Sequence, residues 1–181
     1  CMKDNSMKVH QNHAEPWTVT LLDTCESTLT GVRLKRVTEF IKDEESFCFT
    51  YGDWVSDVDI TKLVAFHRSH GKKATLTATL PPGRYGAVKI HGDNMIEHFQ
   101  VKTDGDGSWI NVGFLVLSPS VLYRIEGDDT SWEGAPLTSL ATDGELSAYK
   151  HDGFWQPMDT LREKNLLEDL WASGRAPWKL W

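Results

Sequence analysis

The chain has 181 residues, 40% hydrophobic and 25% charged, which suits one globular domain that buries roughly 70% of its unfolded surface without staples. A net charge of −7 argues against a broadly basic surface and general nucleic-acid binding, and no apolar run reaches the roughly 18 residues that span a bilayer. Three cysteines (Cys1, Cys25 and Cys48) are too few for a disulfide framework and favour a reducing cytoplasm.

The chain opens on Cys1 with a polar connector through Glu15, a start that fits either processing or a shortened reading frame. After Pro16, residues 17–22 (WTVTLL) read as a β-type run, followed by the polar loop 23–31. Leu34, Val37, Phe40 and Ile41 then recur at helical spacing, with Thr30 as the N-cap. Residues 47–51 form an apolar run of strand length, halted by Gly52-Asp53. Ile60, Leu63, Val64 and His67 trace a second helix, with Asp59 or Thr61 at its start and Gly71 past its end. Residues 74–80 are another strand, stopped by Pro81-Pro82-Gly83. Strand, helix and strand with such a crossover predict a parallel βαβ unit.

Residues 87–90 and 95–101 read as a hairpin around His91-Gly92-Asp93-Asn94, and 109–117 as a long apolar strand. Segments 119–125 and 132–140 look helical, 146–150 looks like a strand, and 161–171 is the clearest helix. There Thr160-Leu161-Arg162-Glu163 is a capping-box pattern, and Leu166, Leu167, Leu170 and Trp171 make one apolar face. The prediction is one α/β domain over residues 1–181 with a mixed, mainly parallel sheet.

Ligands of open α/β sheets gather at the carboxyl ends of the strands. Asp53 directly follows the strand 47–51, and Asp159 precedes the capped helix at Thr160. Two such aspartates can share one Mg²⁺, which prefers carboxylates and phosphate oxygens. Equally, Asp53 is a turn residue and Asp159 a favourable charge at a helix N-terminus. Arg33, Arg84 and Lys102 sit beside glycine or loop signals and suit phosphate contacts, although each also reads as a solvated charge. The pairs His10/His13 and His67/His70 lack a second ligand pair and read as ordinary surface or helix-end histidines. Cys25 and Cys48 have no adjacent His or CxxC partner. The eight tryptophans read either as ligand platforms or as anchors that pin segments to the core.

Residues 15–24 (EPWTVTLLDT), 30–37 (TGVRLKRV), 49–53 (FTYGD), 81–86 (PPGRYG) and 176–179 (APWK), together with Gly153-Phe154-Trp155-Gln156-Pro157-Met158-Asp159-Thr160-Leu161-Arg162, resemble the glucose-1-phosphate cytidylyltransferase family. The resemblance implies a three-layer nucleotide-sugar-transferase fold. It also implies transfer of a cytidylyl group from CTP to glucose 1-phosphate, with Mg²⁺, giving CDP-glucose and pyrophosphate for deoxysugar and surface-polysaccharide synthesis. Asp53 and Asp159 would hold the metal. Thr28, Arg33 and Gly52 would contact the nucleotide, Lys102 would face the sugar phosphate, and Asn111 would lie on the sugar side. The implied partners are these two substrates, with neither nucleic acid nor membrane, and a homo-oligomer is left open.

Departures from the family pattern set a second expectation. Its first strand and Gly-rich loop have no counterpart here, so the chain reads as truncated. Cys25, Val32, Trp54 and Val112 stand where the family has glycine, and Val101-Lys102-Thr103 where it has Glu-Lys-Pro. A glycine chosen for positive φ or close approach is not replaced without strain or occlusion. The expectation is an impaired or inactive enzyme, and the alternative is a non-catalytic module that keeps a sugar-phosphate or subunit-interface surface. A Trp-rich lectin-like β domain is set aside because the helical periodicity is too strong.

Overall fold

A computed structural model describes residues 17–80, 87–90, 96–100 and 109–180. Arg84, Lys102, the Val101–Thr103 departure and the His10/His13 pair lie outside these residues.

The core is a four-stranded sheet in the order β1–β6–β3–β7, made of β1 (Phe47–Phe49), β6 (Ile110–Leu117), β3 (Ala74–Thr79) and β7 (Leu146–Lys150). β6 pairs antiparallel with both β1 and β3, whereas β3 and β7 pair parallel. Three strands therefore run in one direction and β6 alone opposes them. The strands predicted at 47–51 and 74–80 are parallel in direction but flank β6 rather than touch. Two-stranded antiparallel ladders join β2 (Trp54–Ser56) to β8 (Trp155–Pro157) and β4 (Ala87–Ile90) to β5 (Ile96–Gln100), the latter as the predicted hairpin.

Alternation along β3 explains the layers. Ala74 and Leu76 face one side, where they meet Leu115, Leu117 and Phe47 of neighbouring strands. That side is covered by Val32 and Leu34 of α1 (Thr30–Arg36), Val121 and Leu122 of the 3₁₀ turn Pro119–Arg124, Trp132, and Leu140 of α4 (Ala135–Thr142). On the other side α3 (Ile60–His70) buries Leu63 and packs Val64 with Val58, Val116, Phe114 and Tyr149. Each fully buried Leu or Ile here, such as Leu117, Ile125 and Leu140, contributes about 1.5–3 kcal/mol. Trp132 has no exposed surface, so at this position a tryptophan is an anchor.

The helix ends follow local chemistry where nothing competes. Asp59 caps α3 by accepting from the Lys62 amide (3.0 Å), and Gly71 closes it. Thr160 and Glu163 complete the capping box of α5 (Leu161–Ala172).

Three expectations need correction. Residues 17–22 form no strand: Trp17, Val19 and Leu21 are 77%, 72% and 89% exposed, and no described strand pairs with them. Strand propensity is realised only against a ladder partner. The helix read over 34–41 is two pieces, α1 and α2 (Thr38–Ile41), divided at Val37. Thr30 is not an N-cap, because Leu29 holds that position and the Thr30 hydroxyl is engaged elsewhere.

Candidate functional site

β1, β3 and β7 deliver their carboxyl ends to one edge of the sheet, where β6 begins. The chain leaving β1 runs Thr50-Tyr51-Gly52-Asp53 and enters β2. Trp54 pairs with Pro157 across the β2–β8 ladder, and the Met158 amide donates to the Asp53 carbonyl at 2.8 Å. Asp53 and Asp159 therefore emerge at the same end of one short ladder, and both are exposed. Asp159 stands immediately before Thr160, the N-cap of α5; the amides of both residues donate to Glu163 Oε2, at 3.1 and 3.0 Å. A carboxylate at that end of a 12-residue helix is electrostatically favoured. Both aspartates leave the same end of this ladder, and exposed carboxylates are the donor type that a hard divalent cation takes. Among the described residues no group of three or more His, Cys, Asp or Glu could hold a metal, so the remaining ligands of such an ion would be water and substrate oxygens.

The other predicted contacts sit in two places. Thr28 and Arg33 are brought together at the start of α1, where Arg33 Nε donates to the Thr28 carbonyl at 3.0 Å. The rest of that guanidinium is engaged too: Nη1 donates to Thr24 Oγ1 and Nη2 to the Glu26 carbonyl, each at 3.0 Å. Arg33 thus ties the 24–28 loop to α1, and a ligand at this point would share the fork with backbone carbonyls. Asn111 lies near the start of β6, and its Oδ1 accepts from the Gly113 amide at 3.0 Å within an irregularity of the β3–β6 ladder.

The four positions where the resemblance implies glycine fare differently. Cys25 has φ 67°, in the left-handed region, so the expected strain is present there. Val32 and Val112 keep ordinary backbone angles and are buried in the core, and Trp54 also has no positive φ. The Trp54 indole packs on Tyr51 (ring centroids 4.8 Å apart) and edge-on to Trp155 (5.5 Å). It also rests on the backbone of Gly113, whose φ is 75°. Trp54 thus fills space between the Asp53 turn and the Asn111 bulge.

Two clusters carried no signal in the sequence. Glu133 receives the Tyr51 hydroxyl on Oε1 and the hydroxyls of Thr30 (2.7 Å) and Ser131 on Oε2. Burial pushes the Glu133 carboxyl up, but the three donors outweigh it and hold the group below the usual range. Burial and the neighbouring carboxylate both push the Tyr51 phenol up, so it stays a donor. Ser56, Asp57 and His151 form the second cluster. His151 Nε2 lies 2.9 Å from Asp57 Oδ1 and 3.3 Å from Ser56 Oγ, while Ser56 Oγ donates to the Phe154 carbonyl at 2.7 Å. One nitrogen faces both partners and the hydroxyl proton is already engaged, so this is a strut between β7 and the β2–β8 ladder, not a nucleophile relay.

Residues 4–160 match the nucleotidyl transferase family. The chain is 58% identical over 180 residues to glucose-1-phosphate cytidylyltransferase of Salmonella typhimurium, an alignment covering 99% of this chain and 70% of that protein. It is 35% identical over 132 residues to mannose-1-phosphate guanyltransferase of Aspergillus fumigatus, covering 70% of this chain and 35% of the relative. Among solved structures, HddC from Yersinia pseudotuberculosis superposes with a TM-score of 0.57 at 20% identity, over 78% of this chain and 61% of HddC, a likeness that shows the fold. A mixed three-layer α/β fold, the family match over residues 4–160 and identity along nearly the whole chain agree: the chain belongs to the nucleotidyl transferase family of enzymes, among the glucose-1-phosphate cytidylyltransferases.

Proposed function

We propose that the protein transfers a cytidylyl group from CTP to glucose 1-phosphate, releasing pyrophosphate, with Mg²⁺ held by Asp53 and Asp159. The observation that carries this reading is the Met158–Asp53 backbone bond of 2.8 Å, which sets the two aspartates at one ladder end. A sugar-phosphate oxygen attacks the α-phosphorus of CTP in line. The bond from that phosphorus to the α–β bridging oxygen breaks, and pyrophosphate leaves. Such chemistry needs positioning and charge neutralisation, not a protein nucleophile. The divalent ion, when bound, supplies the charge that lets an acidic protein gather two polyanions. Asp53 and Asp159 hold it, Thr28, Arg33 and Gly52 face the nucleotide, Lys102 meets the sugar phosphate, and Asn111 lies toward the sugar. Residues 1–181 act as one domain. The exposed thiols of Cys25 and Cys48 suit the reducing cytoplasm, and no described helix is long and apolar enough to cross a membrane.

A specific observation also supports reduced turnover. Trp54 occupies the space between the Asp53 turn and Asn111, where the family has glycine. Pyrophosphate release with CTP, glucose 1-phosphate and Mg²⁺ tests the proposal. Slow release that is abolished by Asp53→Asn and by Asp159→Asn supports it. Release unaffected by either change, or Mn²⁺ binding unaltered by both, refutes the metal assignment. If no release occurs while glucose 1-phosphate still binds, the non-catalytic module is the better reading.

A further inference from the structure

We infer that Glu133 is a positioning residue that, through the Tyr51 hydroxyl, holds the Gly52–Asp53 turn in its metal-binding arrangement. The inference rests on the metal reading above.

The turn is long for its anchors. β1 ends its ladder at Phe49, and among the described residues the next backbone bond is the one the Asp53 carbonyl accepts from Met158. Between those points, among the described residues, Tyr51 is the one tied to a distant segment by its side chain, and the segment it reaches is Glu133. Its ring is flanked by Phe49 (centroids 5.4 Å) and Trp54 (4.8 Å), so the hydroxyl is aimed by packing on both sides. Glu133 is itself fixed. Its second oxygen takes the hydroxyls of Thr30 and Ser131, and the Thr30 oxygen accepts from the Trp132 amide at 3.0 Å. Trp132 is fully buried, which anchors the carboxylate to the core. One ionised side chain thus joins the turn bearing Asp53 to the start of α1, the helix that carries Arg33.

The charge and the hydroxyl are separable from the docking of α1. That contact has its own support, because the Gly31 amide donates to the Thr130 carbonyl at 3.1 Å, and a β-carbon on Gly31 would sit 2.6 Å from that oxygen. Tyr51→Phe removes the hydroxyl while leaving the ring stack and this docking intact. Glu133→Gln keeps the shape but loses the charge that receives the phenol.

The test is Mn²⁺ titration of the full chain with CTP present, followed by electron paramagnetic resonance, alongside thermal unfolding of each variant. Tyr51→Phe and Glu133→Gln are each expected to weaken Mn²⁺ binding about tenfold, as losing a charge-assisted hydrogen bond at a positioned ligand would. The double variant is expected to be no weaker than Glu133→Gln alone, since both act through one bond. Leu63→Val, in the second core cluster, which holds neither Trp132 nor Phe49, is expected to lower the melting temperature without changing Mn²⁺ binding. Unchanged Mn²⁺ affinity in both Tyr51→Phe and Glu133→Gln overturns the inference and leaves the metal reading standing. Equal weakening by Leu63→Val overturns it as well, because general loosening would then account for the loss. No Mn²⁺ binding by the unsubstituted chain overturns the inference and the metal reading together.

Discussion

The Trp54 indole lies on the backbone of Gly113, so closely that a β-carbon at Gly113 would collide with both Trp54 and Tyr51. Gly113 also has φ 75°, which L side chains adopt at a cost. Gly113→Ala therefore meets steric overlap and backbone strain together. The expected loss is about 3 kcal/mol or more, the sum of an overpacking term and a left-handed alanine. Urea unfolding of the two proteins measures it, and a loss below about 1 kcal/mol would mean that Trp54 yields freely.

Trp54 itself trades stability against access. Removing it deletes a tilted ring contact with Tyr51 and an edge-on contact with Trp155, at an expected cost of about 2–3 kcal/mol for a partly exposed ring. The same change reopens the space between the Asp53 turn and Asn111. Trp54→Gly is therefore expected to lower the melting temperature yet raise the rate of pyrophosphate release. Parallel thermal and turnover measurements decide: a variant that loses stability and gains no rate shows that the indole does not obstruct the site.

Cys25 carries the opposite kind of departure. Its φ of 67° is held by a local bond, the Cys25 amide donating to Asp23 Oδ1 at 2.8 Å, in a loop that Arg33 and Arg36 tie down. Left-handed backbone costs a non-glycine residue about 1–2 kcal/mol, whereas glycine adopts it freely but gains unfolded-state entropy. Cys25→Gly should therefore stabilise the protein by about 0.5–1 kcal/mol, a rise of a few degrees in melting temperature. Cys25→Ala, which keeps the Cβ, should bring no such gain.

How much of this was legible in the sequence depended on how local the cause was. The capping box at Thr160 and Glu163 and the Asp59 cap depend on residues close in sequence, and β3 and β7 carry runs of strand-forming residues that announce them even though their partners are distant, so the predicted bounds match closely. β2 and β8 are three residues each and are paired across a hundred positions, so no periodicity marks them. Thr30 has the residue type of an N-cap, but Glu133, 103 residues away, captures its hydroxyl, so the local pattern points to the wrong start for the helix. The Gly-Asp turn and the Gln156-Pro157-Met158-Asp159 run were visible as motifs, yet only the β2–β8 register brings their aspartates to one end. Tyr51 and Glu133 come together only through the fold, 82 residues apart, and nothing near Glu133 announces its role.

His67 and His70, read from spacing as ordinary histidines, instead form a directed chain of hydrogen bonds with Thr75. The Lys72 amide donates to His70 Nδ1 at 3.0 Å, so that nitrogen carries no proton and Nε2 must carry it. His70 Nε2 then donates to Thr75 Oγ1 at 2.7 Å, and the Thr75 hydroxyl donates onward to His67 Nδ1 at 2.9 Å. At His70 this link requires a neutral ring, because a proton on Nδ1 would face the Lys72 amide donor; at His67 a protonated Nδ1 would force the buried Thr75 hydroxyl proton to turn away from the ring. Both side chains titrate below the ordinary histidine range. Burial is the main cause for each, aided by the neighbouring charge of His70 on His67 and of Lys72 on His70. Glu45, paired with Arg68 at 3.4 Å, pulls His67 upward and Arg68 pulls it down, and neither outweighs burial. The unfolded chain therefore takes up these protons at a higher pH than the folded one. Stability from the relay is complete above about pH 6.5 and is lost as pH falls through the lowered folded values. Denaturant unfolding between pH 5 and 7.5 should show stability rising with pH across that window, with a slope that His67→Gln/His70→Gln flattens. Thr75→Val, which leaves ring nitrogens without a partner, should cost about 1–3 kcal/mol at pH 7.5. A slope that persists unchanged in the double histidine variant would assign the pH dependence to other groups and refute the relay as its source.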